Sequence, residues 1–278
     1  MATVFICASP TAPAGHFAFV GIPLDRTGSF HRGSGDGPRA LREASYNLEE
    51  YCQIADASLF DLKFADFGDL ECPEDQPLEA LVDGLEGRLE RLFAGGQRPL
   101  GLGGEHTVSL PLVRMLARKH PDLCVIHFDA HADLRPSYEG EKYSHAAVMH
   151  HVSQLVGIEN LFQFGIRSGT REEWALMRQH GTLHECSPEA MGQVLTVIGN
   201  RPVFLSVDLD VLDPSEFPGT GTPEAGGVSF RVLDSLVRML KAVRVVGADL
   251  VELCPPHDPS GISSAAASKL ARTILLTL

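Results

Sequence analysis

Two hydrophobic patterns alternate along the chain from about residue 17 to its end. Short, near-continuous apolar runs have the length and composition of buried strands: FAFVGIPLD from 17, RPLGLGG from 98, LCVIHFDAH from 123, LFQFGI from 161, RPVFLSVDLD from 201 and RVVGADLVEL from 244. Between them, apolar residues recur three and four apart over 77–96, 108–120, 144–157, 170–180, 229–243 and 262–278, the period of a helix buried on one face. SLFDLKFADFGD, 58–69, is expected to be a further strand leading into an acidic loop.

Alternating strands and helices imply an α/β fold, a mainly parallel sheet covered by helices. No Pro/Ser-rich or charge-rich linker interrupts the pattern, so residues 1–278 are expected to form one domain. The pattern fits an open sheet and a closed barrel equally well. In both, sites gather at the carboxyl ends of strands. The polar residues fall there: His106, DAHAD from 129, DLD from 208 and Glu252.

An extended chain would turn Asp129, His131 and Asp133 to the same side. Alone, that motif is equally a capping Asp beside a core histidine. Asp208 and Asp210 repeat the spacing, and the following Asp213–Pro214 is ordinary turn chemistry. An apolar strand before D-x-D-x-V also resembles the nucleophile loop of haloacid-dehalogenase-type phosphatases, but too little chain follows for that fold and DAHAD would stay unexplained. Gly103–Gly104 lets the backbone turn sharply before His106. Together the six side chains offer four carboxylates and two imidazoles without a thiolate. That exceeds the need of one ion and suits a pair of Mn²⁺-like ions. The loop 218–227, PGTGTPEAGG, is placed to shape a pocket rim.

A net charge of −13 excludes a nucleic-acid binder that works through phosphate contacts and is compatible with a cationic substrate. Six scattered cysteines without a C-x-x-C pair fit neither a zinc framework nor a disulfide scaffold. No Lys or Arg precedes Arg26, and the opening apolar stretch is short and interrupted. A cytoplasmic protein with no membrane partner is therefore the expectation.

The segments GIPLDRTGSFHRGSGDGPRALREAS, GGEHT, DAHADLR, SVDLDVLDPSEFPGTGTPEAGG and GADLVELCPPHD, in this order, resemble the ureohydrolases, the family of arginase, agmatinase and their relatives. The resemblance covers nearly the whole chain. It implies a three-layer αβα catalytic domain with a parallel eight-stranded sheet, assembled as a homotrimer or homohexamer. It also implies two Mn²⁺ per chain, with His106 and Asp133 completing one site, His131 and Asp210 the other, and Asp129 and Asp208 bridging both. A water between the ions, ionised near neutral pH, would attack the guanidinium carbon of a small cationic substrate. Asp133 would move its proton towards the leaving amine, His145 would shuttle protons or touch the substrate, and Glu252 would receive the guanidinium. His127, His150 and His151 gain no role from the resemblance.

The stretch around His145 departs from the family pattern. Many agmatinases read S-H-G-T-P where this chain has Ser144-His145-Ala146-Ala147-Val148, and arginases generally have Asn where Tyr143 stands. The tail pocket is expected to be closer to that of agmatinase, and hydrolysis of agmatine to putrescine and urea is the leading expectation. Guanidinobutyrate, guanidinopropionate, arginine or guanidine are alternatives, an acid tail requiring a cation such as Arg32, Arg135 or Arg167. A single-zinc deacetylase on a related fold would leave His106 without work. A non-catalytic scaffold would be expected to lose its costly buried carboxylates.

Overall fold

In a computed structural model describing residues 3–278, strand β1 (Phe17–Ile22) is the first of the main sheet. A small separate hairpin follows, β2 (Tyr51–Cys52) with β3 (Ala57–Ser58). The remaining strands are β4 (Ala65–Asp69), β5 (Arg98–Gly103), β6 (Cys124–Phe128), β7 (Leu161–Phe164), β8 (Leu183–His184), β9 (Pro202–Asp208) and β10 (Arg244–Val251). Eight of them form one open sheet in the order β4-β1-β5-β10-β9-β6-β7-β8, and every pairing is parallel. β10, last in sequence, thus lies between β5 and β9 at the centre.

Helices cover both faces, as the resemblance implies. On one side α1 (Gly37–Ser45), α6 (Pro188–Ile198), α7 (Phe230–Met239) and α8 (Ile262–Thr277) pack on a core that includes Phe17, Phe19, Ile126 and Leu205. On the other, α2 (Leu78–Leu92), α3 (Ser109–Lys119), α4 (Val148–Val156) and α5 (Arg171–His180) bury Ala18, Val20, Val125 and Phe204. Adjacent strand residues go to opposite cores, as the pleat requires.

Beyond the short strands β2, β3 and β8, which the sequence pattern does not predict, three elements differ from the sequence expectation. The strand expected over 58–69 is confined to β4, because Ser58 ends the hairpin and Leu59–Asp61 form a 3₁₀ turn capped by the Ser58 hydroxyl. α1 lacks an apolar stripe since its inner face is closed by a buried ion pair. Arg42, 2% exposed, donates from Nε and Nη2 to Asp66 at 2.8 and 2.9 Å and from Nη1 to Asp69. α6 begins at a Ser187 cap with Pro in its first turn, but its apolar residues are not confined to one face, Val197 being 64% exposed.

Candidate functional site

Four neighbouring strands, β5, β10, β9 and β6, end at the same rim of the sheet and release the candidate residues. After β5 the chain makes backbone bonds that pin it to the β1 loop: the Gly104 amide donates to Ile22 O and the Glu105 amide to Leu24 O. Any Cβ at Gly104 would stand 2.0 Å from the Leu24 carbonyl oxygen. Glycine is required here by this close approach rather than by a sharp turn.

β6 ends at Phe128, so the extended alternation expected through Asp133 does not persist. The His131 amide donates to Asp129 Oδ1 at 2.6 Å and the Ala130 amide to Asp210 Oδ1 at 3.0 Å, folding the segment round its own carboxylates. Asp133 then takes a left-handed backbone, φ 53°, and Glu252 does the same after β10, φ 64°. Such conformations are strained for residues other than Gly and cluster at functional sites.

The six side chains converge. His106 Nδ1 lies 3.1 Å from Asp129 Oδ2, 3.1 Å from Asp133 Oδ2 and 3.3 Å from Asp208 Oδ2. His131 Nδ1 lies 2.9 Å from Asp210 Oδ2 and 3.6 Å from Asp129 Oδ1. Asp129 thus stands between two clusters. Close as these atoms are, His106 Nδ1 and Asp210 Oδ2 are buried with no hydrogen-bond partner of proper geometry. Each lies among the candidate donors of its own cluster, as ligand atoms do around a cation.

The electrostatics say the same. Burial, and then the neighbouring Asp129, raise the Asp133 pKa, and burial with Asp210 raises that of Asp208. Burial opposes a charge on His106, yet the carboxylates of Asp129, Asp133 and Asp208 outweigh it and hold its pKa well above the usual value. What this cluster lacks is positive charge, and the oxygen-rich donor set fits hard or borderline divalent ions.

A second layer orients these groups. His106 Nε2–H donates to Ser206 Oγ at 2.9 Å, and that hydroxyl donates to the buried Asp249 at 2.8 Å, leaving the Nδ1 lone pair facing the carboxylates. Nε2–H of the fully buried His127 donates to Asp129 Oδ2 at 2.8 Å, while its Nδ1 accepts from Gln163 at 3.2 Å. His127 is therefore not an idle core histidine. Although it lies close enough to His106 and Asp129 to share an ion with them, the nitrogen facing Asp129 is spent on a hydrogen bond, which suits the support of a candidate ligand instead of ligation itself. Both His127 and Ser206 stand two residues before a candidate ligand, the strand period that could have revealed them.

Beside the cluster opens a cavity of about 210 Å³ lined by His131, Asp133, Arg135, Tyr138, His145, Ser168 and Thr222, among others. Glu252 accepts the His106 amide with Oε1 at 2.7 Å, while its Oε2 lies against Gly221, next to Thr222. The loop 218–227 therefore does contribute to the rim. Burial, reinforced by the charges of His106 and His131, lowers the His145 pKa to about 4 and keeps the imidazole neutral.

Residues 15–277 match the Arginase family. The chain belongs to this family. It is 44% identical to an agmatinase of Bacillus anthracis over 98% of this chain and 95% of that protein, and 35% identical to a guanidinobutyrase of Pseudomonas aeruginosa over 94% and 86%. Its fold is similar to that of the agmatine ureohydrolase of Thermoplasma volcanium, with a TM-score of 0.87 and 32% identity over 99% of this chain and 94% of that one. As an arginase-family member it is a hydrolase acting on guanidino compounds. Among the described residues, no helix is long and apolar enough to cross a membrane.

Of the three cations considered for an arginase-family acid tail, one reaches the cavity. Arg167 is committed to the carbonyls of Asp210 and Glu224, and Arg32 donates to Arg26 O away from it. Arg135 lines it, over the Tyr138 ring at 4.7 Å. His150 and His151 lie on α4, where His151 bonds Lys142 O, and neither lines the cavity.

Proposed function

We propose that the protein is a dimanganese amidinohydrolase that converts agmatine and water into putrescine and urea. The observation that carries this reading is the convergence of His106, Asp133 and Asp208 with Asp129 on one side and His131 with Asp210 on the other. The agmatinase similarity over nearly the full chain supports the choice of substrate. By this reading His106, Asp129, His131, Asp133, Asp208 and Asp210 hold the ions, and the working form is a homotrimer or homohexamer in the cytoplasm. Bound there, two divalent ions would supply an ionised water as nucleophile and offset negative charge developing at the attacked carbon.

The protein's own groups do the rest. Glu252, held by the His106 amide, receives the flat guanidinium fork and fixes its carbon. Asp133, held in the cluster beside His106, takes a proton from the attacking water and delivers it to the departing nitrogen. An amine anion is too poor a leaving group to depart unprotonated. His145 faces the substrate as a neutral imidazole.

The test is urea release by manganese-reconstituted protein from agmatine, arginine, guanidinobutyrate, guanidinopropionate and guanidine. Negligible turnover of agmatine beside rapid turnover of another compound overturns the substrate and keeps the chemistry. One observation favours such a second reading. Arg135 lines the cavity, its Nε 3.7 Å from the Glu173 carboxylate, and makes no hydrogen bond among the described residues, leaving its Nη donors available to a carboxylate tail.

A further inference from the structure

Helix α5 opens with a capping box: Thr170 Oγ1 accepts the Glu173 amide at 3.2 Å, and Glu173 Oε2 accepts the Thr170 amide at 2.7 Å. Such a box employs one oxygen of the glutamate. Here the other, Oε1, accepts the backbone amide of Leu134 at 2.9 Å, 39 residues away and directly after the candidate ligand Asp133. Glu173 is 5% exposed and lines the cavity, yet the chemistry above gives it no task.

Its carboxylate stands where a strand ladder would continue. Residues 130–132 run parallel to 167–168: the Ser168 amide donates to Ala130 O at 2.9 Å and the Ala132 amide to Ser168 O at 3.2 Å. The next rung would pair the Thr170 amide with Ala132 O and the Leu134 amide with Thr170 O, and it would keep Asp133 extended. Both amides go to Glu173 instead, while Ala132 O accepts Gln163 Nε2 at 2.9 Å and Thr170 O accepts the Trp174 amide at 3.0 Å. Asp133 O accepts the His150 amide at 3.0 Å. The peptide after Asp133 is thus held at its oxygen by α4 and at its nitrogen by Glu173, and Asp133 sits between ladder and clamp at φ 53°. That turn sends neighbouring candidate ligands to different clusters, His131 to Asp210 at 2.9 Å and Asp133 to His106 at 3.1 Å. Extended residues two apart would face the same way.

We propose that Glu173 is a positioning residue: its carboxylate ends the ladder and clamps the Leu134 amide, holding Asp133 in the left-handed conformation that carries its side chain to His106. This rests on the reading that Asp133 is a metal ligand. One side chain thereby sets both the cap of α5 and the geometry of the candidate site.

Glu173→Gln keeps the shape but offers one oxygen to two amides, whereas Thr170→Ala removes the hydroxyl half of the capping box and leaves both carboxylate bonds in place. In the full-length protein, Glu173→Gln should weaken retention of one of the two manganese ions by about 10- to 100-fold, the scale of a ligand that loses its orienting partner. Retention of the other ion should be unchanged. Thr170→Ala should retain both at the wild-type level, although it loosens the same helix. In an Asp133→Ala background Glu173→Gln should have no further effect on retention, since the two act as one unit. Independently of metal, the amides of residues 134 and 170 in the metal-free protein should exchange slowly with deuterium in the wild type and in Thr170→Ala, and at least one of them rapidly in Glu173→Gln. The proposal is overturned by a fast-exchanging Leu134 amide in the wild type, by unchanged manganese retention in Glu173→Gln, or by equal weakening in Thr170→Ala. A wild type that retains no manganese sinks the dimanganese reading instead, and the exchange still decides on Glu173.

Discussion

The backbone amide of His106 donates to the side chain of Glu252 at 2.7 Å, joining residues 146 positions apart. One carboxylate oxygen is thereby fixed to the segment that carries a candidate ligand, and the proposed function gives the other to the substrate. Glu252→Gln keeps an acceptor for that amide and loses the charge that matches a guanidinium. Metal content should stay at the wild-type level while kcat/KM falls by roughly 100-fold, about 3 kcal/mol of lost charge-assisted pairing. Metal analysis beside urea-release kinetics checks this, and metal loss equal to that of a ligand variant would show Glu252 to be misassigned.

Asp129 sits between the two clusters and is itself held by His127. Asp129→Ala and Asp208→Ala should each abolish urea release and strip metal from both positions. His127→Ala should be milder, weakening metal retention by about 10- to 100-fold, as expected when a ligand loses its orienting partner. Equilibrium dialysis against manganese distinguishes the three variants. Wild-type retention in His127→Ala would remove its supporting role.

The cluster's histidines give a pH dependence of definite sign. Burial disfavours a charged His131, but Asp210 and Asp129 prevail and push its pKa up to about 12 from an ordinary 6.5, and His106 is raised in the same sense. In the metal-free protein their ion pairs contribute fully below the unfolded value and are lost as pH rises towards the folded one. Metal must displace these protons, so its binding strengthens with pH. The rise in unfolding temperature on adding manganese should therefore be larger near pH 9 than near pH 6. An equal rise at both would contradict proton displacement.

The Arg42 ion pair tests stability away from the chemistry. Arg42→Met should destabilise the fold by about 3–5 kcal/mol, because it strands the buried Asp66 carboxylate without its counter-charge. Asp66 also accepts the Phe5 amide, so the N-terminal segment loosens with it. Denaturant unfolding measures the loss, and the folded fraction should retain wild-type KM. A change below about 1 kcal/mol would place this pair with exposed ones.

The candidate ligands could be found in the sequence because each follows an apolar strand run, and strand ends are where parallel sheets expose polar groups. Strand alternation holds at β1, where Phe19 and Val20 enter opposite cores. It failed after Phe128, where the bonds to the Asp129 and Asp210 carboxylates, and not an extended backbone, bring His131 and Asp133 round. α1 escaped notice because a charge pair with Asp66 and Asp69 replaces the hydrophobic stripe that periodicity detects. Glu173 escaped for a different reason. Its partner Leu134 lies on another segment, and no local spacing encodes the contact between them.

β10 carries a consequence for how the molecule comes into being. Because this last strand is inserted between β5 and β9, a chain growing from its N-terminus holds two half-sheets that cannot join until Val251 has been synthesised. Asp129 and His106, on opposite sides of that gap, can meet only late. A truncated or stalled product would therefore carry the binding motifs without the pocket, and would expose two unpaired strand edges prone to mispairing with other chains.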